Sequence, residues 1–176
     1  VLGGWSIGGI AVQVFAAEHR DRISHLILIG TVPPGPQAHQ PDPIFLQTAL
    51  RHDYSLEDEV VLFFEPASSA SIAAAQDSHD RIAARIADRS PVIPAETYTS
   101  ILRASNDPEA AFPDKAGYSD FFRNTDLPVL VISGDHEIVF PVENWHALNR
   151  AWPTLHLLTI PQAGHGPQHQ QPELIA

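Results

Sequence analysis

A short apolar stretch, Val1-Leu2-Gly3-Gly4-Trp5, runs through Ser6-Ile7-Gly8-Gly9 into a helical pattern, so the chain must turn from strand to helix on a serine. A serine on such a turn sits in strained backbone, and glycines two before and two after it leave no Cβ to clash with the neighbouring elements. The turn lifts the hydroxyl clear of the sheet. It also places Ser6 at a helix N-terminus, where the Ile7 N–H and the positive dipole end favour an anion, so Ile7 is the expected backbone donor to an oxyanion. The same glycines also suit a tight loop with no chemistry. A dinucleotide fingerprint would need glycine where Ser6 stands and an acid about 20 residues on, and a phosphate-cradling loop would need Gly-Lys-Ser/Thr. This stretch has neither.

After the turn, Ile10, Val14 and Ala17 recur at helical spacing with Ala11 and Phe15 beside them, predicting a helix from Ile7 to about His19. Leu26 to Gly30 is a continuous apolar run, the pattern of a parallel strand covered by helices on both faces. Prolines 33, 34, 36, 41 and 43 then leave the sheet. Pro43 opens a helix carrying Ile44 to Leu50. Ser55 with Asp58 forms a capping box before Val60 to Phe64; Ser71 to Asp88 puts Ile72, Ala75, Ile82 and Ile86 on one face; and Pro94 starts a further helix through Leu102. This strand-poor block suits a lid over the carboxyl edge of the sheet, with Phe63, Phe64, Tyr98, Phe121 and Phe122 as candidate wall residues or plain core.

The sheet resumes with Leu127 to Ser133, followed by Gly134-Asp135-His136-Glu137. A helix is expected from Pro141 to about Trp152, a last strand from Leu155 to Ile160, and then a glycine-flanked loop holding His165. Ser6, Asp135 and His165 each follow a predicted parallel strand, so all three project from one sheet edge. Acyl transfer needs these roles: a hydroxyl nucleophile, an imidazole that takes its proton, and a carboxylate that fixes the imidazole's tautomer. Glu137 is the rival acid, set aside because two residues further on it should have left the strand edge. His169 is the rival base, beyond Pro167. A metal site from His136, Glu137, His165 and His169 is disfavoured because Pro167 breaks the His165/His169 spacing on a helix. The site is therefore read with no metal and no cofactor.

The chain of 176 residues has ten Lys and Arg against 21 Asp and Glu, a net charge of −11 that argues against nucleic-acid and anionic-membrane partners and for a small neutral substrate. It has no cysteine, hence no disulfide framework. No apolar run approaches the roughly 18 residues of a membrane span; a cytoplasmic location is expected, and the oligomeric state is left open.

Gly4-Trp5-Ser6-Ile7-Gly8-Gly9, Leu26 to Gly30, Val129 to Asp135 with Pro141 after it, and Ala163-Gly164-His165 together resemble the α/β-hydrolase superfamily, in its single-lid branch of esterases, haloperoxidase-like perhydrolases and carbon–carbon bond hydrolases. Relatives often carry Gly-Asp-x-Asp where this chain has Gly134-Asp135-His136-Glu137. The resemblance implies an α/β fold with a parallel sheet: hydrolase core over residues 1–32, a helical lid inserted over 33–125, and core again over 126–176. It implies a serine hydrolase cleaving a small carboxylic ester through an acyl-enzyme, with perhydrolysis, carbon–carbon cleavage or a non-catalytic ligand-binding protein as alternatives. It further implies an eight-stranded sheet of which this chain holds the end of the fifth strand and the sixth to eighth, with the earlier strands and a second oxyanion donor outside it. On that reading the chain alone is expected to be poorly soluble or oligomeric and nearly inactive.

Overall fold

The computed structural model describes residues 1–51, 53–87, 90–105 and 112–176. Four parallel strands, β1 (Leu2–Trp5), β2 (Leu26–Ile29), β3 (Val129–Gly134) and β4 (Leu155–Ile160), lie side by side in chain order. Their registers pair Leu2 with Leu26, Leu26 with Val129 and Val129 with Leu155. Parallel neighbours require crossovers. The first is α1 (Ile7–Glu18), the helix that the spacing of Ile10, Val14 and Ala17 predicts.

Side chains alternate across the sheet. Leu26, Leu28, Val129, Val131 and Leu155 meet Ala16 of α1, Phe122 of α6 (Tyr118–Asn124), and Trp145 and Trp152 from the segment between β3 and β4, forming the largest buried cluster. On the opposite face Ile27, Ile29 and Leu130 are only partly buried, packed against Ile132, Ile160 and Ala163. The helical cover that the apolar run of β2 predicts is thus complete on one face only among the described residues. The segment from Pro141 to Trp152 is broken: α7 covers only Glu143–His146 and a tight turn follows at Leu148–Arg150. Both tryptophans are nonetheless buried, and the Trp145 indole donates to the Thr31 carbonyl at 2.7 Å.

Between β2 and β3 come α2 (Pro43–Ala49), α3 (Leu56–Phe63), α4 (Ser69–Ala84) and α5 (Ala95–Ser105). Asp42 caps α2, Pro43 occupies its first turn, and the Ser55/Asp58 capping box forms as its spacing predicts. For α4 the predicted face is wrong. Ala75 is buried, but Ile72, Ile82 and Ile86 are exposed, and the buried stripe is Ser71, Ala75 and Ser78. Small side chains let α4 approach α8 (Pro167–Gln170) closely enough for the Ser71 hydroxyl to donate to Gln170 Oε1 at 2.7 Å. Asp88, the expected end of that helix, lies outside the described residues. A last short helix, α9 (Pro172–Ile175), ends the chain. No helix among the described residues is long and apolar enough to cross a membrane.

Candidate functional site

Ser6 stands between β1 and α1 with φ 54° and ψ −128°, a positive-φ conformation that non-glycine residues rarely adopt. Two hydrogen bonds hold it there. Its N–H donates to the Ile29 carbonyl at 3.0 Å, and its carbonyl accepts from Thr31 Oγ1 at 2.7 Å. A Cβ on Gly4 would collide with the Gly8 carbonyl, and one on Gly9 would run into the Thr31 side chain. The expectation for Gly8 is corrected: a Cβ there meets nothing, because the turn needs Gly8 only for its backbone, which Gly4 must approach. Ile7 is the first residue of α1, so its N–H points out of the helix end beside Ser6.

His165 reaches this turn from the loop after β4. Its Nε2 lies 3.0 Å from Ser6 Oγ, joining residues 159 positions apart, and its side chain is 4% exposed. The loop is pinned from two sides. Trp5 Nε1 donates to the His165 carbonyl at 2.8 Å with the indole tilted against the imidazole, and Gly166 N–H donates to the Phe63 carbonyl at 2.8 Å. Trp5, the variable residue of the serine motif, therefore ties the serine turn to the histidine loop. Sequence spacing gave no sign of that contact.

The carboxylate facing His165 belongs to Glu137, and the assignment of Asp135 is corrected. Glu137 Oε2 lies 2.7 Å from His165 Nδ1, and its side chain is fully buried. Its other oxygen accepts from the N–H groups of Val139 and Phe140, at 2.8 and 3.3 Å. Asp135 is more exposed. Its carboxylate pairs with His136 Nδ1 at 2.6 Å and accepts from the Ala163 N–H at 3.3 Å. The cause is backbone direction. β3 ends at Gly134, Asp135 and His136 form a turn, and that reversal brings the third residue past the strand back over the sheet edge. Gly30 makes room: with φ 45° it sits where a Cβ would be 2.8 Å from the His165 carbonyl and 3.1 Å from Glu137 Oε2. The rival base His169 instead contacts the Trp5 ring, and burial lowers its pKa. Asp135 acts on His136, whose pKa its hydrogen bond raises against a smaller opposing effect of burial.

A hydroxyl, an imidazole and a carboxylate in one hydrogen-bonded chain can pass a proton from oxygen to nitrogen while the buried negative charge stabilises the imidazolium. The family described as alpha/beta hydrolase fold matches residues 1–172. This chain belongs to that family. Solved structures with the same hydrolase fold include an alpha/beta hydrolase fold protein from Chitinophaga pinensis, at TM-score 0.76 and 25% identity, with 98% of this chain covering 60% of that one. A thermophilic esterase from Thermogutta terrifontis aligns at TM-score 0.61 and 23% identity, over 99% of this chain and 60% of its own. A 2-hydroxy-6-oxo-6-phenylhexa-2,4-dienoate hydrolase from Rhodococcus aligns at TM-score 0.67 and 16% identity, over 98% and 59%. This hydrolase-fold chain thus spans about 60% of the length of such relatives. No curated protein matches it in sequence. Among the described residues of the hydrolase fold, no group of His, Asp and Glu side chains is arranged to hold a metal ion.

The hydroxyl of Ser6 opens onto a cavity of about 180 Å³ bounded by α2, α3 and α5. Of the expected aromatic wall, Phe63 and Tyr98 line it. Phe64 is buried between α3 and α4, and Phe121 and Phe122 belong to the core under the sheet.

Proposed function

We propose that this chain carries the nucleophile, base and acid of a serine hydrolase that cleaves a small ester through an acyl-enzyme. One observation carries the reading: the hydrogen-bonded series Ser6, His165, Glu137 at 3.0 and 2.7 Å, with the last two buried. Ser6 Oγ attacks the ester carbonyl carbon while its proton passes to His165 Nε2, and the Ile7 N–H stabilises the oxyanion. Collapse of the tetrahedral intermediate breaks the bond to the alcohol oxygen, which takes the proton from His165. Water then attacks the acyl carbon, gives a proton to His165, and the carboxylic acid leaves as Ser6 recovers its hydrogen. Glu137 keeps the Nδ1 proton in place throughout and holds the positive imidazolium. Helices α2, α3 and α5 serve as the lid.

In a protein that carries this chain at the full length of its relatives, a fluorophosphonate probe should label Ser6, and Ser6→Ala should abolish labelling and lower p-nitrophenyl acetate turnover by about 10⁴-fold or more, since such residues act as a unit. Labelling or turnover that survives Ser6→Ala would overturn the reading. Stoichiometric ligand binding by a protein that is neither labelled nor active would show a hydrolase fold used only for binding.

A further inference from the structure

Resting on the acyl-transfer reading, the cavity chemistry narrows the substrate. Its described lining is Ser6 and His165 at one end, then the side chains of Phe45, Leu62, Leu102 and Phe140 with their neighbours, all apolar except Tyr98. No Lys or Arg side chain is among the described residues lining it. Behind Tyr98 the Tyr54 OH donates to the Ala49 carbonyl at 2.7 Å and lies 2.5 Å from Tyr98 OH, and burial first, then the hydrogen bond with Tyr98, drives the Tyr54 pKa far up, so that phenol is neutral. Because the single Tyr54 proton is committed to Ala49, Tyr98 is the donor within the pair.

Among the described residues, negative charge stands behind the His165 end of the cavity. Glu137 sits directly behind His165, and the turn beyond it carries Asp135, with Glu65 Oε2 3.7 Å from His136 Nδ1. A substrate carboxylate entering here loses its hydration, finds no cation among the described walls, and meets the field of an anion buried behind the imidazole. An uncharged alkyl group instead exchanges water for Phe45, Leu62 and Phe140. A cavity of about 180 Å³ suits a short group rather than a long chain.

We infer that the cavity beside Ser6 seats a short, uncharged, apolar acyl group, and that the protein discriminates against esters whose acyl chain ends in a carboxylate. The test compares p-nitrophenyl 4-methylpentanoate with p-nitrophenyl hemisuccinate, acyl chains of similar shape ending in isopropyl or carboxylate. The neutral ester should have kcat/KM about 100-fold higher or more, the scale set by burying an unpaired carboxylate. Ile101 lines the mouth of the cavity and is 40% exposed, so Ile101→Lys should be tolerated and narrow that ratio by about tenfold by adding a cation.

Equal kcat/KM for the two esters, with Ser6 still labelled by the fluorophosphonate, would overturn the inference and leave the hydrolase reading standing. A ratio that Ile101→Lys leaves unchanged would overturn the placing of the acyl group in this cavity. Labelled Ser6 with neither ester turned over would also overturn the substrate assignment. Absence of both labelling and turnover in that full-length protein would overturn the hydrolase reading and the substrate assignment with it.

Discussion

Glu137 and Asp135 are two residues apart and both acidic, yet only one is placed to act on His165. Glu137 gives one oxygen to His165 Nδ1 and the other to two backbone N–H groups, so its carboxylate is fixed from both ends. Removing its charge while keeping its shape releases the histidine tautomer, which in comparable sites costs about 10⁴ in kcat. In that full-length protein Glu137→Gln should therefore lower p-nitrophenyl ester turnover by about 10³- to 10⁴-fold. Asp135→Asn should change it less than about tenfold, because Asp135 touches His136 and the Ala163 N–H instead. Steady-state kinetics on the two variants checks both expectations, and the reverse order of effects would restore Asp135 as the orienting acid. Trp5 shows the same logic at a neutral residue, its indole holding the loop that carries His165.

At the scale of one element, α4 shows that a helix can be predicted correctly and turned the wrong way. Its buried Ser71 hydroxyl accepts from the Glu65 N–H at 2.8 Å and donates to Gln170, linking the helices over the site to the segment that follows His165. Ser71→Ala leaves those partners unpaired in a buried place, so stability should fall by about 1–3 kcal/mol. Ile82→Glu, on the exposed face, should change it by no more than about 0.5 kcal/mol. Urea unfolding of the two variants reads this directly. A larger loss from Ile82→Glu than from Ser71→Ala would mean that the isoleucine face is the buried one.

Across the whole molecule, the two faces of the sheet differ in cover. One is packed by α1, α6 and the two tryptophans, while the other holds an open groove of about 500 Å³ lined by Val1, Ile27, Pro128, Leu130 and neighbours. β1 and β4 stand at the ends of the sheet, and Leu158 on β4 is 40% exposed. An apolar face left open beside unpaired strand edges among the described residues is a template for association. The 176-residue chain on its own should therefore run as oligomers in size-exclusion chromatography with light scattering, and should bind ANS. Leu158→Lys should shift it toward smaller species. A monodisperse, ANS-negative monomer with a cooperative melt would refute this.

Read alone, the sequence determined the parallel strands, the helix after Ser6, the capped helices between β2 and β3, and Ser6 and His165 as the pair that meets. Each is written in local patterns, apolar runs, helical spacing, capping residues and glycine-flanked turns, that act over a few residues. Tertiary structure decided which acid faces His165, which side of α4 is buried, and that Trp5 and Gly30 shape the site. Those outcomes depend on where a turn redirects the chain and on what packs against it from more than a hundred residues away, as with Trp5 and the His165 carbonyl. The direction of the chain after Gly134 was not legible in Asp135-His136-Glu137, because either acid fits a strand-end turn. Ile72, Ile82 and Ile86 share an apolar spacing whether or not a neighbour exists to cover them. The small serines of α4 were chosen for burial by the close approach of α8, a contact that periodicity cannot encode.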